Sequence, residues 1–191
     1  MAENRLSCGL LPGWLFEDEG WYLAKLARKV PEDGAIVELG SALGRSTNFI
    51  RLGMPASAWL HCIDMWKDDV YFKEFQDKMH EFDEFFYDKS YNAYRCLTTE
   101  FPAKIKRWLG CEFDEFVIDL LFIDASHGYN DVSQDFNLYA PRVVKGGYIV
   151  FHDVENPNWP GIKQFIEKEV IPSGDYERVD KLYWLEVFRK R

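Results

Sequence analysis

The sequence predicts an α/β fold: a mostly parallel, seven-stranded sheet in three layers, covered by helices on both faces and extended by a C-terminal antiparallel hairpin. Three observations predict it. Short apolar runs alternate with helical patterns along the chain. The runs at 35–39, 58–63 and 118–123 are almost continuously apolar, as strands buried on both faces are. The chain ends in two short extended segments around Asp180-Lys181, which read as a hairpin.

Each element follows from local pattern. Trp21, Leu23, Leu26 and Ala27 form one apolar side of a helix over 19–29. Pro31 to Gly34 turns into the first strand, 35–39. A helix over 44–52 stops near Gly53 and Pro55, and the second strand, 58–63, ends at Asp64. Over 68–87, Phe72, Phe75, Met79, Phe82 and Phe86 recur at steps of three and four, and the other face is dense in Asp, Glu and Lys. A short strand at 94–97 precedes Thr98-Thr99. Pro102 fits the first turn of a helix to Trp108. Strand 118–123 ends at Asp124, and a helix over 131–139 is closed by Pro141. Gly146-Gly147 turns into strand 148–151, followed by His152-Asp153. Ile162, Phe165, Ile166 and Val170 mark a last helix stopped by Pro172, and 176–179 with 183–189 form the hairpin.

The chain of 191 residues suits one domain, 1–191, with an N-terminal helical segment at 1–33 and an aromatic amphipathic helix within 66–93 that either packs on the sheet or roofs a site. Hydrophobic residues at 47% and charged residues at 29% indicate a globular chain. The net charge of −9, with no Lys/Arg cluster, argues against a nucleic-acid partner. No stretch approaches the ~20 apolar residues of a membrane span, and the N-terminus lacks the long apolar core of a secretory signal. Cys8, Cys62, Cys96 and Cys111 are scattered, without a CxxC pair. A cytoplasmic protein with buried free thiols is expected. An aromatic content of 17% leaves a homo-oligomer open.

The most informative stretch is GAIVELGSALGRST, residues 34–47. A buried strand breaks into a glycine turn, Gly40 to Gly44, and a helix start. Such a turn lets backbone N–H groups approach a nucleotide-type ligand closely. The GxGxxG of dinucleotide binding is absent, and so is the GK[ST] of a P-loop. Ligands in parallel sheets sit beyond the carboxyl ends of the strands, here Glu38 to Gly40, Asp64, Thr98-Thr99, Asp124 and His152-Asp153.

Four segments, VELGSALGRST (37–47), CIDMW (62–66), DLLFIDASHGYNDVSQDF (119–136) and KGGYIVFHDV (145–154), resemble class I S-adenosylmethionine-dependent methyltransferases. The likeness is greatest to small enzymes with FIDxxHxY after strand four and GGxIxxHD along strand five. The resemblance implies a Rossmann-like methyltransferase fold with S-adenosylmethionine as cofactor. It implies that Glu38 and the turn Gly40, Ser41 to Gly44 face the methionine part and the adjacent ribose carbon, that Ser46 and Thr47 also contact the cofactor, and that Asp64 accepts bonds from the ribose hydroxyls. Met65 and Trp66 would pack near adenine, Thr98 or Thr99 would reach its edge, and Asp124 would border the cofactor.

The catalytic candidates are Asp124, His127, His152 and Asp153. In one version His127 or His152 is a general base, because imidazole titrates near neutrality. In the other, Asp124 and Asp153 hold Mg2+, as the resemblance to catechol-type and macrocin-type O-methyltransferases implies, and the ion acidifies the acceptor hydroxyl. The chain departs from those enzymes at His152, where they tend to carry an acid. Trp14, Tyr71 and Tyr129 are candidates to line the acceptor site, with Tyr129 preferred. His61 and His80 read as structural. The expected reaction is methyl transfer, chiefly O-methylation, to a small molecule such as a sugar or secondary metabolite. A non-catalytic interaction module on a methyltransferase scaffold and a nicotinamide oxidoreductase are the alternatives.

Overall fold

A computed structural model describes residues 13–85 and 91–191. Helix α1 (Glu17–Ala27) leads into β1 (Ala35–Leu39), α2 (Arg45–Gly53), β2 (Trp59–Asp64), α3 (Asp69–Phe85) and β3 (Tyr91–Arg95). Then come α4 (Phe101–Leu109), β4 (Ile118–Ile123), α5 (Tyr129–Tyr139), β5 (Val143–Phe151), α6 (Pro160–Phe165), β6 (Tyr176–Leu182) and β7 (Leu185–Lys190). The seven strands lie in the order β3-β2-β1-β4-β5-β7-β6. β1 to β5 are parallel, and β7 is antiparallel to both β5 and β6. The chain reverses direction across the sheet between β1 and β4, which opens a crevice at their carboxyl ends.

The sheet is buried on both faces, so each strand sends alternate side chains into a different core. On one face Leu23 and Leu26 of α1, Phe49 and Ile50 of α2, and Phe75, Met79 and Phe82 of α3 pack against Ile36, Leu60 and Leu120. On the other, Phe101 and Ile105 of α4, Phe136 and Tyr139 of α5, and Phe165 of α6 pack against Val37, Ile63, Leu121 and Phe151. This is the expected three-layer architecture. The aromatic stripe of α3 is core: Phe75 and Met79 are fully buried. Phe86 lies outside the described residues, as do Cys8 and the rest of 1–12. Cys62 and Cys96 are buried free thiols, and Cys111 is partly exposed. No helix among the described residues is long and apolar enough to cross a membrane.

Several boundaries differ from expectation. β3 occupies 91–95 rather than 94–97, because its first residues pair with β2 from Leu60 onward; residues 91–93 are therefore strand, not part of the preceding helix. β5 begins at Val143, and Gly146-Gly147 lie inside it, where Gly146 (φ +83°) accommodates a register shift opposite Ile118 and Leu120. The hairpin turns at Tyr183-Trp184, not Asp180-Lys181: Tyr183 takes a positive φ of 49°, and Asp180 pairs with Val187 beside a bulge. α6 continues through a π-turn, Ile166–Val170, into a last α-turn, Ile171–Ser173.

Candidate active site

The crevice is assembled by the carboxyl ends of β1, β2, β4 and β5. Backbone bonds draw them together: the N–H of Gly40 donates to Ile63 O, that of Asp124 to Leu39 O, and that of His152 to Ile123 O. Gly40 (φ +86°) crosses the end of β4 so closely that a Cβ there would run into the Asp124 carbonyl. The position therefore requires glycine on two grounds, conformation and space.

Glu38 organises the turn from below. It is fully buried and accepts three hydroxyl bonds, from Ser46 at 2.5 Å, Thr47 at 2.6 Å and Ser41 at 2.7 Å. Burial raises its carboxyl above the ordinary range, and the three hydroxyls partly offset that rise. The hydroxyls expected to contact the cofactor are thus turned inward onto Glu38, so Ser41, Ser46, Thr47 and Glu38 shape the turn from within. Asp64 secures it from the side. Its Oδ2 accepts the N–H groups of Ser41 (3.0 Å) and Ala42 (2.9 Å), and its Oδ1 accepts the N–H of Trp66 (2.7 Å). A carboxylate has about four acceptor positions, so Oδ1 retains one for a ligand. Ala42 (φ 44°), Trp66 (φ 31°) and Asp153 (φ 58°) all hold left-handed conformations around this rim, which concentrates backbone strain there.

Trp66 departs from expectation. Only 1% of it is exposed, its Nε1 donates to Ala42 O at 2.8 Å, and its ring packs on Phe72 and Phe75. It supports the turn and presents no face to adenine, whereas Met65 beside it is exposed. Thr98 also faces elsewhere, donating its hydroxyl to Asp135 of α5. Exposed Leu97 occupies the matching place after β3, and the Cys96 N–H bonds to Asp64 O, which brings the two strand ends together. Tyr71, partly buried, is near enough to Asp64 for that charge to add to the burial that raises its hydroxyl pKa. Trp14 is largely exposed next to Leu15, whose carbonyl accepts Arg45 Nε at 2.7 Å.

The acid-base groups form one network. His152 is almost fully buried, with Nδ1 3.1 Å from Asp124 Oδ1 and Nε2 3.3 Å from Glu19 Oε2. Burial alone would lower its pKa. Asp124, Glu19 and Asp153 overcome that and push it up to about 10. With both ring nitrogens engaged by carboxylates, His152 is less suited than His127 to the general-base role expected of one of them. Glu19 is fully buried too and also accepts the N–H groups of Trp184 and Phe16. It ties α1 and the hairpin to the crevice.

His127 is partly exposed. Its Nε2 lies 2.9 Å from Asp153 Oδ2 and 3.9 Å from Asp124 Oδ1, and its ring stacks on Trp159 at 4.7 Å. Burial would raise the Asp153 carboxyl, but His127, Asn156 and His152 outweigh it and hold the group below its ordinary value. Trp159 is held there because α6 begins against the 127–129 loop: a Cβ at Gly161 would collide with Tyr129 N and His127 O. Tyr129, the preferred acceptor contact, instead donates its hydroxyl to Glu169 at 2.9 Å and packs edge-on to Phe165. Its hydroxyl is directed at the α6 segment.

Among the described residues, Asp124, His152 and Asp153 form one cluster whose ligand atoms lie within 4.8 Å of one another. The two carboxylates fit magnesium, which binds through one or two acids and water. The imidazolium does not. Glu19 and Trp159 were missed by sequence reasoning. Glu19 resembles any first-turn helical acid, and its partners at the crevice, His152 and Trp184, are more than 130 residues away. Pro160, the first residue of α6, was the one available signal beside Trp159.

Known proteins share this fold. The methyltransferase-domain family matches residues 37–154, which contain every strand end of the crevice. A curated protein of Acanthamoeba polyphaga mimivirus, itself uncharacterized, is 48% identical over 62 residues, a match spanning 31% of this chain and 28% of that one. Among solved structures, the O-methyltransferase of Bacillus cereus in complex with SAH aligns with a TM-score of 0.71 at 15% identity, over 95% of this chain and 86% of that one. TomG, the O-methyltransferase of Streptomyces achromogenes involved in tomaymycin synthesis, in complex with SAM, aligns with a TM-score of 0.69 at 16% identity, over 93% and 81%. With the family model matched over more than half of its length and the fold shared with these structures, this chain belongs to the methyltransferase-domain family.

Proposed function

We propose that this protein methylates a hydroxyl group of a small molecule, with His127 as the base that receives the hydroxyl proton. The observation that carries this reading is His127 itself, oriented by Asp153 on the same rim as the turn that Asp64 secures. S-adenosylmethionine, when bound, supplies an electrophilic methyl group that already carries its leaving group. The chain must hold it, align the acceptor and take one proton. Gly40 admits the cofactor close to the backbone, Asp64 Oδ1 has room for a ribose hydroxyl, and Met65 with Leu97 offers apolar surface for adenine. Donation of the Nε2 proton to Asp153 would leave Nδ1 of His127 as the acceptor, the orienting logic of a catalytic dyad. That nitrogen would take the proton of the acceptor O–H as the hydroxyl oxygen accepts the methyl group. His152, charged and locked between Glu19 and Asp124, fixes the floor of the site.

A small acceptor is supported by the net charge of −9 and by the exposed ring of Trp159 stacked on His127, a surface suited to a planar ring or the apolar face of a sugar. Radiolabelled methyl transfer to a panel of phenols and glycosides tests the reading. His127→Ala is expected to lower kcat by roughly 10²–10⁴-fold while S-adenosylhomocysteine affinity stays unchanged. Full turnover in that variant would remove His127 as base.

A second reading follows from the Asp124 and Asp153 carboxylates: a divalent cation held there would lower the acceptor's pKa. Activity that survives EDTA in protein verified to be metal-free would exclude it. Activity lost on chelation and restored by Mg2+ would establish it.

A further inference from the structure

The opposite end of the sheet carries a cavity of about 490 Å3 that the methyl-transfer reading does not use. It is framed by the first residues of β1 and β2, by β3, by the end of α4 and by the segment leading into β4. Trp59 opens β2 and Asp64 closes it, so about 16 Å of strand separates this cavity from the cofactor rim. The volume lies within the range of small-molecule sites.

Its walls are unusual for a free surface. Trp59 (46% exposed), Trp108 (38%) and Val117 (58%) are three of the large apolar side chains left in water, and all three line this one cavity. Aromatic surface gathered in this way marks a binding face more often than chance exposure does. Polar groups converge with it. His61 lines the cavity although only 4% exposed. Its Nδ1 meets the Tyr94 hydroxyl at 3.1 Å, and no protein partner for its other nitrogen is found among the described residues. Burial pushes the ring's pKa down to about 4, so it is neutral and offers a hydrogen-bonding atom without charge. Asn92 adds an amide, and among the described residues Glu115 is the one charged group of the lining. Glu115 Oε2 accepts the Glu112 N–H at 3.1 Å, leaving Oε1 available. Lys104 lies 6.0 Å from the Trp108 ring centre but is paired with Glu100 at 2.8 Å.

This chemistry selects a ligand class. Two indoles favour a flat aromatic ring. A carboxylate that can only accept hydrogen bonds, with no cation in the lining among the described residues, favours N–H donors and disfavours anions. We propose that this cavity binds a planar heteroaromatic small molecule bearing an exocyclic amine, with its ring against Trp59 and Trp108 and its N–H groups toward Glu115 and Asn92. The site is separate from the crevice and does not depend on the methyl-transfer reading.

Calorimetry and ligand-observed NMR with 2-aminoquinoline test it, using the whole chain saturated with S-adenosylhomocysteine, and quinoline as the amine-free comparator. Saturable 1:1 binding is expected, weaker by at least tenfold in Trp59→Ala and in Trp108→Ala. A weakening of about fivefold is expected in Glu115→Gln and for quinoline. Melting temperature and S-adenosylhomocysteine affinity of the variants report whether each is folded, and either Trp variant with Glu115→Gln suffices if the other fails. No saturable binding to the saturated protein, or affinity indifferent to these variants, would overturn the proposal. So would a dimer in light scattering that Trp59→Ala dissociates, since a second copy would then cover this face.

Discussion

Asp135 shows how a single side chain couples pH to stability. Burial pushes its carboxyl up to about 6, with nearby Asp131 adding to the rise and the Thr98 hydroxyl opposing it. A folded pKa above the unfolded value of about 3.9 means the group's contribution to stability is present at low pH and lost as pH rises through 6. Asp135→Asn keeps an acceptor for Thr98 and removes the charge. It should raise stability at pH 7.5 by up to about 3 kcal/mol and give no gain at pH 4, measured by urea unfolding at both. An equal gain at both pH values would assign the effect to something other than ionisation. At this scale the strand-end acids Asp64, Asp124 and Asp153 were legible in the sequence, because a parallel strand must deliver its last residue to the ligand rim. The partners of those acids were not. That His152 is a clamped cation depends on Glu19, and that Trp66 is core depends on Phe72 and Phe75. These contacts arise from packing between elements, which hydrophobic periodicity does not encode.

The glycine turn is the element on which the site depends. Its outer side presents backbone, and its inner side is built on Glu38. Glu38→Ala would leave the hydroxyls of Ser41, Ser46 and Thr47 buried without their acceptor, at about 1–3 kcal/mol for each group left unsatisfied. The expected result is a marked fall in melting temperature together with weaker S-adenosylhomocysteine binding. Unchanged values of both would show that the turn forms without its buried acid. Helix α3 is the converse case. Its aromatic spacing was legible as one face, and the choice between core and roof was settled only by the sheet beneath it, where Phe75 is fully buried. Phe75→Ala should therefore cost about 3–5 kcal/mol, a core penalty that a lid residue would not show. The strand boundaries at Val143 and Tyr183 escaped sequence reading because bulges and two-residue turns depend on register with neighbouring strands.

Across the whole molecule, the alternation of strands and helices made the architecture readable, since a parallel sheet needs covering on both faces and a crossover for each strand. The rim joins the first and last parts of the chain: Glu19 of α1 holds His152 after β5 and the Trp184 N–H of the hairpin. Ligand binding at the rim should thus stabilise the fold as a unit, by about 2.7 kcal/mol when ligand is at one hundred times its Kd. A single, concentration-dependent rise in melting temperature with S-adenosylhomocysteine is the expected readout. The most direct measurement is titration calorimetry of S-adenosylhomocysteine into the wild type and Asp64→Ala. One-to-one binding by the wild type, weakened at least a hundredfold in a folded Asp64→Ala protein, is predicted. No binding by the wild type, or equal affinity in the variant, would contradict a cofactor site built on the glycine turn and Asp64.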